Sequence, residues 1–300
     1  MNKPRAYPGE CKWHGFLYLL PGLLIYLIFT FLPILQTVRI SFLNWEGLAP
    51  AKNFIWIQNY LEIFADPKFW LALLHNLVFV IFYCLIPIFI GLVLASLLGR
   101  YPIKGFTFFR TILFLPQVLS MVVVGVAWRW VFNPNVGPLN VFLRAIGLGS
   151  LARPWLGDFN AALPAVGSVG TWVQYGFCMV LFLAGIQRIS VEYYEAAALD
   201  GANAWQELLN ITIPGLRAEM GVALITTIIA ALRVFDLVFV TTRGGPGEAT
   251  LVTGFLVYRS AFLQNKTGYA AAIATILTVI ILAISLLVRK YQSADEWSKA

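Results

Sequence analysis

Charge is scarce in this 300-residue chain: Asp, Glu, Lys and Arg make up 12% of it, where a soluble domain carries about a quarter. Cysteine is scarce too. Cys11, Cys84 and Cys178 are odd in number with no two close in sequence, so they form neither a disulfide framework nor a metal site. Two histidines, His14 and His75, are too few for a metal cluster, and His75 beside Asn76 in an apolar run reads as a satisfied packing residue. No lysine stands in the Gly-x-x-x-x-Gly-Lys-Ser/Thr order, so the chain lacks the phosphate-cradling loop of an ATPase. A nucleophile–base constellation is missing as well, and so are the clustered His, Asp or Glu that a membrane-embedded enzyme would need. No catalytic residue is assigned.

Hydrocarbon is what the chain has in excess. Hydrophobic residues make up 60% of it, more than a soluble protein of this length can cover with polar surface. Lipid can be its solvent. The formal net charge of +7 comes from basic residues scattered singly among apolar runs, which suits membrane flanks and gives no reason to expect nucleic acid.

A membrane helix needs about 20 mostly apolar residues. Six runs qualify: Phe16 to Leu35, Phe69 to Gly99, Thr111 to Trp128, Phe159 to Gln187, Met220 to Thr242 (apolar except Arg233 and Asp236) and Thr267 to Val288. The first exceeds a signal-peptide core, and the nearest small-residue pattern, Ala49-Pro50-Ala51, lies well beyond it; it is read as an uncleaved helix. The fold class expected is an all-α integral membrane protein of six transmembrane helices, with residues 1–13 and 291–300 as cytoplasmic ends and 14–290 as the membrane domain. An even number of spans puts both termini on one side, and the Lys and Arg balance leans toward the cytoplasm. Residues 44–68 read as an interfacial segment with Trp and Tyr anchors, 132–140 as a turn-rich loop, and "RGGPGEAT" (243–250) as a hard loop followed by a short interfacial helix.

The most polar interruption is "VEYYEAAALDGANAWQELLNITIPG" (191–215). Ser190 suits an N-cap, and Glu192 and Glu195 fall where negative charge favours the helix dipole. Ala196, Ala197 and Ala198 are strong helix formers with little bulk, so another surface can approach the backbone. Asp200 precedes Gly201, which sits where a left-handed glycine would stop the helix. A second helical run is expected from Ala202 to Ile213, with Pro214 in the first turn of the next span.

These residues resemble the EAA loop of ABC importer permeases. Glu195-Ala196-Ala197 is followed by three spacers, Gly201, nine spacers, Ile211 and Ile213-Pro214, with Ile213 in place of the usual leucine. "FLPQVLSMVVVGVAWRWVFNPNVGPLN" and "FDLVFVTTRGGPGEAT" look like the carbohydrate-uptake branch, specifically the maltose and glycerol-3-phosphate permease type. The resemblance implies a type I transmembrane domain in a prokaryotic cytoplasmic membrane, with the EAA coupling loop at 188–216 docked on a cytoplasmic ABC ATPase dimer. It also implies a second six-helix permease subunit, expected to make a heterodimer, and an extracytoplasmic solute-binding protein near Gly244, Gly245 and Pro246. No cofactor is expected in this chain; ATP and Mg would be bound by the partner ATPase.

Charged residues inside a membrane span are functional candidates by default. Arg233 and Asp236, three apart, can share one helix side; they either line a solute path or pair with each other to fix packing. Trp172, Gln174 and Tyr175 in the fourth run offer ring and hydrogen-bonding surface to a sugar, and Asn76 in the second is a further candidate. The function expected is import of a sugar or related polyol or sugar derivative. The alternatives are an ABC permease for phosphate, an amino acid or a polyamine, and an ion-driven secondary transporter, for which no internal repeat is evident.

Overall fold

The computed structural model describes residues 12–47, 53–100 and 105–297. Cys11, Ala49-Pro50-Ala51 and most of the amino-terminal segment lie outside them.

Among the described residues, five long apolar helices run Tyr18–Ile40, Pro67–Gly99, Ala162–Ile186, Arg217–Thr241 and Thr267–Lys290. At about 1.5 Å per residue each reaches across a hydrocarbon core of roughly 30 Å. Between the second and fourth crossings the expected span at 111–128 takes the form of a bent pair of helices. Two helices, Phe106–Val118 and Met121–Val131, meet at a bend of 99°. Neither half is long enough to cross alone. Pro116 has no N–H to bond back along its helix, and Leu119 and Ser120 then adopt extended backbone, so the helix cannot pass through.

The chain folds as two compact units, residues 1–63 with 260–275 and residues 64–259 with 276–300. In the smaller unit, Leu43–Asn44 pairs antiparallel with Asn53–Phe54, a small departure from an all-helical chain. Asn59 fastens this hairpin by donating to the Ser41 and Leu43 carbonyls at 2.8 and 3.1 Å. Gly268 completes it by donating to the Trp45 carbonyl at 3.0 Å; its missing Cβ lets the Leu43 carbonyl come into contact. The first span carries no buried residue within this unit and presents apolar side chains all round.

The larger unit is organised round the fourth span, Ala162–Ile186, the most buried helix. Small residues explain its position, because membrane helices pack where backbones can approach. Gly91 of the second span lies so close that a Cβ would stand 2.7 Å from the Met179 backbone nitrogen. Gly176 faces the Leu113 carbonyl at a distance that leaves no room for a side chain. Leu92, Ala95, Met179, Phe182, Leu183 and Ala223 fill the space between these helices. The Thr171 hydroxyl donates to the Phe82 carbonyl at 2.6 Å, across to the π-helical turn Ile81–Leu85 of the second span.

Other boundaries differ from expectation in small ways. The helix after the Gly-Gly-Pro loop exists at Thr253–Tyr258, but Thr253, Phe255 and Leu256 are buried, so protein covers it rather than a lipid surface. The last helix continues to Trp297, with no break at 291.

Candidate functional site

The interruption between the fourth and fifth crossings folds into a braced pair of short helices. Val191–Leu199 is capped by Ser190, whose side chain accepts from the Glu192 N–H at 3.4 Å. It ends in a Schellman turn: Ala202 N–H bonds the Ala197 carbonyl at 2.9 Å, Gly201 N–H bonds the Ala198 carbonyl at 3.1 Å, and Gly201 is left-handed with φ of 79°. Asn203 then opens the next helix in a reciprocal capping box with Gln206, so the second run starts at Ala204, two residues later than expected. Past a π-helical turn at Leu208–Thr212, Pro214 occupies a three-residue turn, and the fifth span starts beyond it at Arg217.

No residue of Val191–Leu199 is buried. Glu192, Glu195, Ala196, Asp200 and Gly201 are exposed, Ala197, Ile211 and Pro214 half-buried, and the apolar Val191, Tyr193 and Leu199 stand out from the surface. The base of the loop is tied down. The Tyr194 hydroxyl meets the Thr212 hydroxyl at 3.0 Å, and Arg188 pairs with the nearly buried Glu219 at 3.3 Å. Arg188 ends one crossing and Glu219 begins the next, a pairing invisible in the linear pattern.

A second feature lies in the fifth span. Its helix Arg217–Leu232 stops, and a new turn, Asp236–Thr241, starts after Phe235 adopts φ of −142°. Arg233 and Asp236 therefore do not share one helix side: the first closes a helix and the second opens another. No ion pair joins them among the described residues. Both are exposed and line a cavity of about 340 Å³ with Tyr83, Met121, Thr226 and Phe235. Tyr83 was hidden in an apolar run; the π-helical turn and Gly170, whose Cβ would overlap its ring, place it there.

The other candidates go elsewhere. Trp172 packs edge-on against Trp128 with ring centres 5.6 Å apart, Gln174 is buried, Tyr175 is half-buried, and none of the three lines this cavity. Asn76 is completely buried and bonded to backbone of two other helices, so it offers nothing to a passing solute. His75 is buried with Nδ1 on the Leu251 carbonyl at 2.8 Å, the packing role expected.

The Gly-Gly-Pro loop is rigid for visible reasons. Gly244 is left-handed at φ 83° and buried, and Gly245 and Pro246 are half-buried. The Thr250 hydroxyl donates to the Gly245 carbonyl at 2.8 Å and bonds the Thr242 hydroxyl at 2.7 Å. Glu248 takes Lys68 at 2.8 Å and Arg259 at 3.1 Å; the hydrogen bond from Lys68 leads in holding its carboxyl below the usual value, against the opposing effect of burial. Among the described residues, no group of three His, Cys, Asp or Glu is placed to hold a metal.

The apolar crossings make this a multi-pass membrane protein, and its fold is that of the transmembrane subunit of a type I ABC importer. A solved structure shares the fold: bacterial alginate ABC transporter in complex with alginate pentasaccharide-bound periplasmic protein, matched with a TM-score of 0.78 and 25% identity over 92% of each chain. The chain belongs to the family of binding-protein-dependent transport system inner membrane components, whose model matches residues 87–293. It is 40% identical to the probable ABC transporter permease protein YurN of Bacillus subtilis (strain 168), over 92% of this chain and 94% of that one. It is 37% identical to the multiple sugar-binding transport system permease protein MsmF of Streptococcus mutans serotype c, again over 92% and 94%. The chain is thus a non-catalytic, multi-pass permease subunit.

Proposed function

We propose that this permease passes a sugar or related polyol through the cavity at the broken fifth span. The observation that carries the reading is the pair Arg233 and Asp236, both facing one cavity without pairing to each other, beside the aromatic surface of Tyr83 and Phe235. Opposite charges side by side suit a neutral polyhydroxyl solute. The guanidinium donates and the carboxylate accepts, while a net anion or cation would meet one repelling neighbour. An aromatic face suits the C–H side of a sugar ring. The kinship with a multiple-sugar permease supports the same class.

Irregular backbone within a membrane is tolerated where protein buries it or where it lines a water-filled cavity, which supports reading this cavity as the path. The helix Val191–Leu199 docks on a cytoplasmic ABC ATPase that binds ATP and Mg, with Ala196 and Ala197 at the contact, Glu195 in polar contact and Gly201 setting the turn. The rigid base at Arg188–Glu219 passes its motion into the fourth and fifth spans, which alternate access. A second permease chain completes the pathway as a heterodimer, and the solute-binding protein docks at Gly244, Gly245 and Pro246. Both termini lie in the cytoplasm.

Uptake of radiolabelled sugars into liposomes holding the assembled complex and its binding protein tests the reading. Arg233→Gln and Asp236→Asn should each lower uptake about tenfold, the equivalent of losing about 1.4 kcal/mol of interaction, with complex yield unchanged. Unaltered uptake in both variants, or competition by phosphate or amino acids in place of sugars, would sink it.

A further inference from the structure

Breaking a helix inside a membrane strands carbonyls and amides that hydrocarbon cannot satisfy. The fifth span breaks at Arg233: the Arg233 and Val234 N–H groups reach the Ile229 and Ala231 carbonyls, and the closing turn draws further donors from outside the helix. Asn76 of the second span supplies them. Its Nδ2 donates to the Ala231 carbonyl at 3.0 Å and to the Leu232 carbonyl at 3.1 Å. On the other side its Oδ1 accepts from the backbone N–H and from the hydroxyl of Thr253, each at 2.9 Å. Thr253 opens the helix Thr253–Tyr258, whose leading N–H groups lack intrahelical partners for the same reason. A carboxamide has two donor hydrogens and an oxygen with two lone pairs, and here all four are used.

The neighbouring contacts have the same purpose. His75 donates from Nδ1 to the Leu251 carbonyl at 2.8 Å, because a carbonyl only accepts. Gly254 lies directly on the unwound turn: a Cβ there would stand 3.0 Å from the Val234 carbonyl and 3.2 Å from the Phe235 Cβ. A line of polar contacts thus runs from Thr253 through Asn76 to Leu232, the residue before Arg233.

We propose that Asn76 is a positioning residue: its carboxamide holds the fifth span open at Arg233 and thereby sets where Arg233 and Asp236 stand in the cavity. The proposal rests on the cavity being the solute path. Directional bonds matter for this purpose, since apolar packing permits small slides that four bonds to one buried amide resist. Without the amide, the freed carbonyls regain partners by letting the helix continue through Arg233, which narrows the cavity.

A thiol placed at Ala230, which lines the cavity, reads this directly. In the full complex in liposomes, with Cys11→Ser and the buried Cys84 and Cys178 as background, a membrane-impermeant thiosulfonate labels Ala230→Cys at a measurable rate. Adding Asn76→Asp keeps an acceptor for Thr253 and removes both donors; labelling should slow roughly tenfold. Thr253→Val, which removes one hydroxyl bond, should slow it about threefold, and Thr253→Ser should restore the original rate. A general loss of folding would lower the yield of labelled complex and leave the rate constant of the folded fraction alone. Rates at or above the parent's in both Asn76→Asp and Thr253→Val overturn the proposal, and if Asn76→Asp fails to assemble, Thr253→Val decides by itself. Normal uptake in the Arg233 and Asp236 variants would remove the path reading without touching this result, so the two failures are distinguishable.

Discussion

Glu248 shows how much a single side chain settles locally. Its carboxylate sits between Lys68 and Arg259, and the hydrogen bond from Lys68 leads in lowering its pKa from the ordinary 4.5. A depressed carboxyl stabilises the fold above its unfolded value and loses that contribution as pH falls through the folded one. Protection of the 243–250 backbone from hydrogen exchange should therefore hold steady from neutral pH down to about 5 and fall below about 4.5, and Glu248→Gln should show the weaker protection already at neutral pH. Equal protection in the two proteins across that range would remove the role. Lys68 was not legible as a partner from sequence, since it is 180 positions away. Asn76 was legible as unusual and illegible as a clamp, because the carbonyls it bonds carry no signature in the sequence. Arg233 and Asp236 were visible as charges in grease; only the break in the helix put both into one cavity without joining them.

At the scale of elements, the local structure of the loop at 188–216 was the best-read part of the chain. Ser190, the alanine run and Gly201 each act locally, through caps and backbone conformation, so neighbours in sequence suffice to specify them. Gly201 has open space where a Cβ would lie and φ of 79°, so substitution strains the backbone without any clash. Gly201→Val should cost roughly 1–2 kcal/mol in the turn. The expected readout is solute-stimulated ATPase activity of the assembled complex cut severalfold, with membrane insertion intact. Full stimulation would show that the turn does not set the docking geometry. The third span was read worst. Its residues are apolar enough to cross, but composition counts hydrocarbon and is blind to direction, and the extended backbone at Leu119–Ser120 turns the chain by 99°.

For the whole molecule, the apolar runs separated by turns fixed a multi-pass subunit, and the family match agrees. The orientation proposed above gives a direct expectation. In a Cys11→Ser background, Ser150→Cys, exposed between the third and fourth crossings, should react with an impermeant thiol reagent in intact cells, whereas Asn203→Cys, exposed in the loop at 188–216, should react only after permeabilisation. The reverse pattern would put the loop out of reach of a cytoplasmic motor.

Composition and local pattern by themselves determined that this protein lives in lipid, that it crosses several times, and that one polar loop is a capped, glycine-stopped helix pair. These depend on solvation and on neighbours within a turn or two, which a linear sequence records in full. Tertiary structure alone decided where the third span bends, how the fourth span's glycines draw the bundle together, and that Arg233 and Asp236 face a shared space. The bend depends on backbone that turns extended just past Pro116, and the last two outcomes on contacts far apart in the chain, such as Asn76 bonding Ala231, Leu232 and Thr253, and on backbone groups that every residue carries alike.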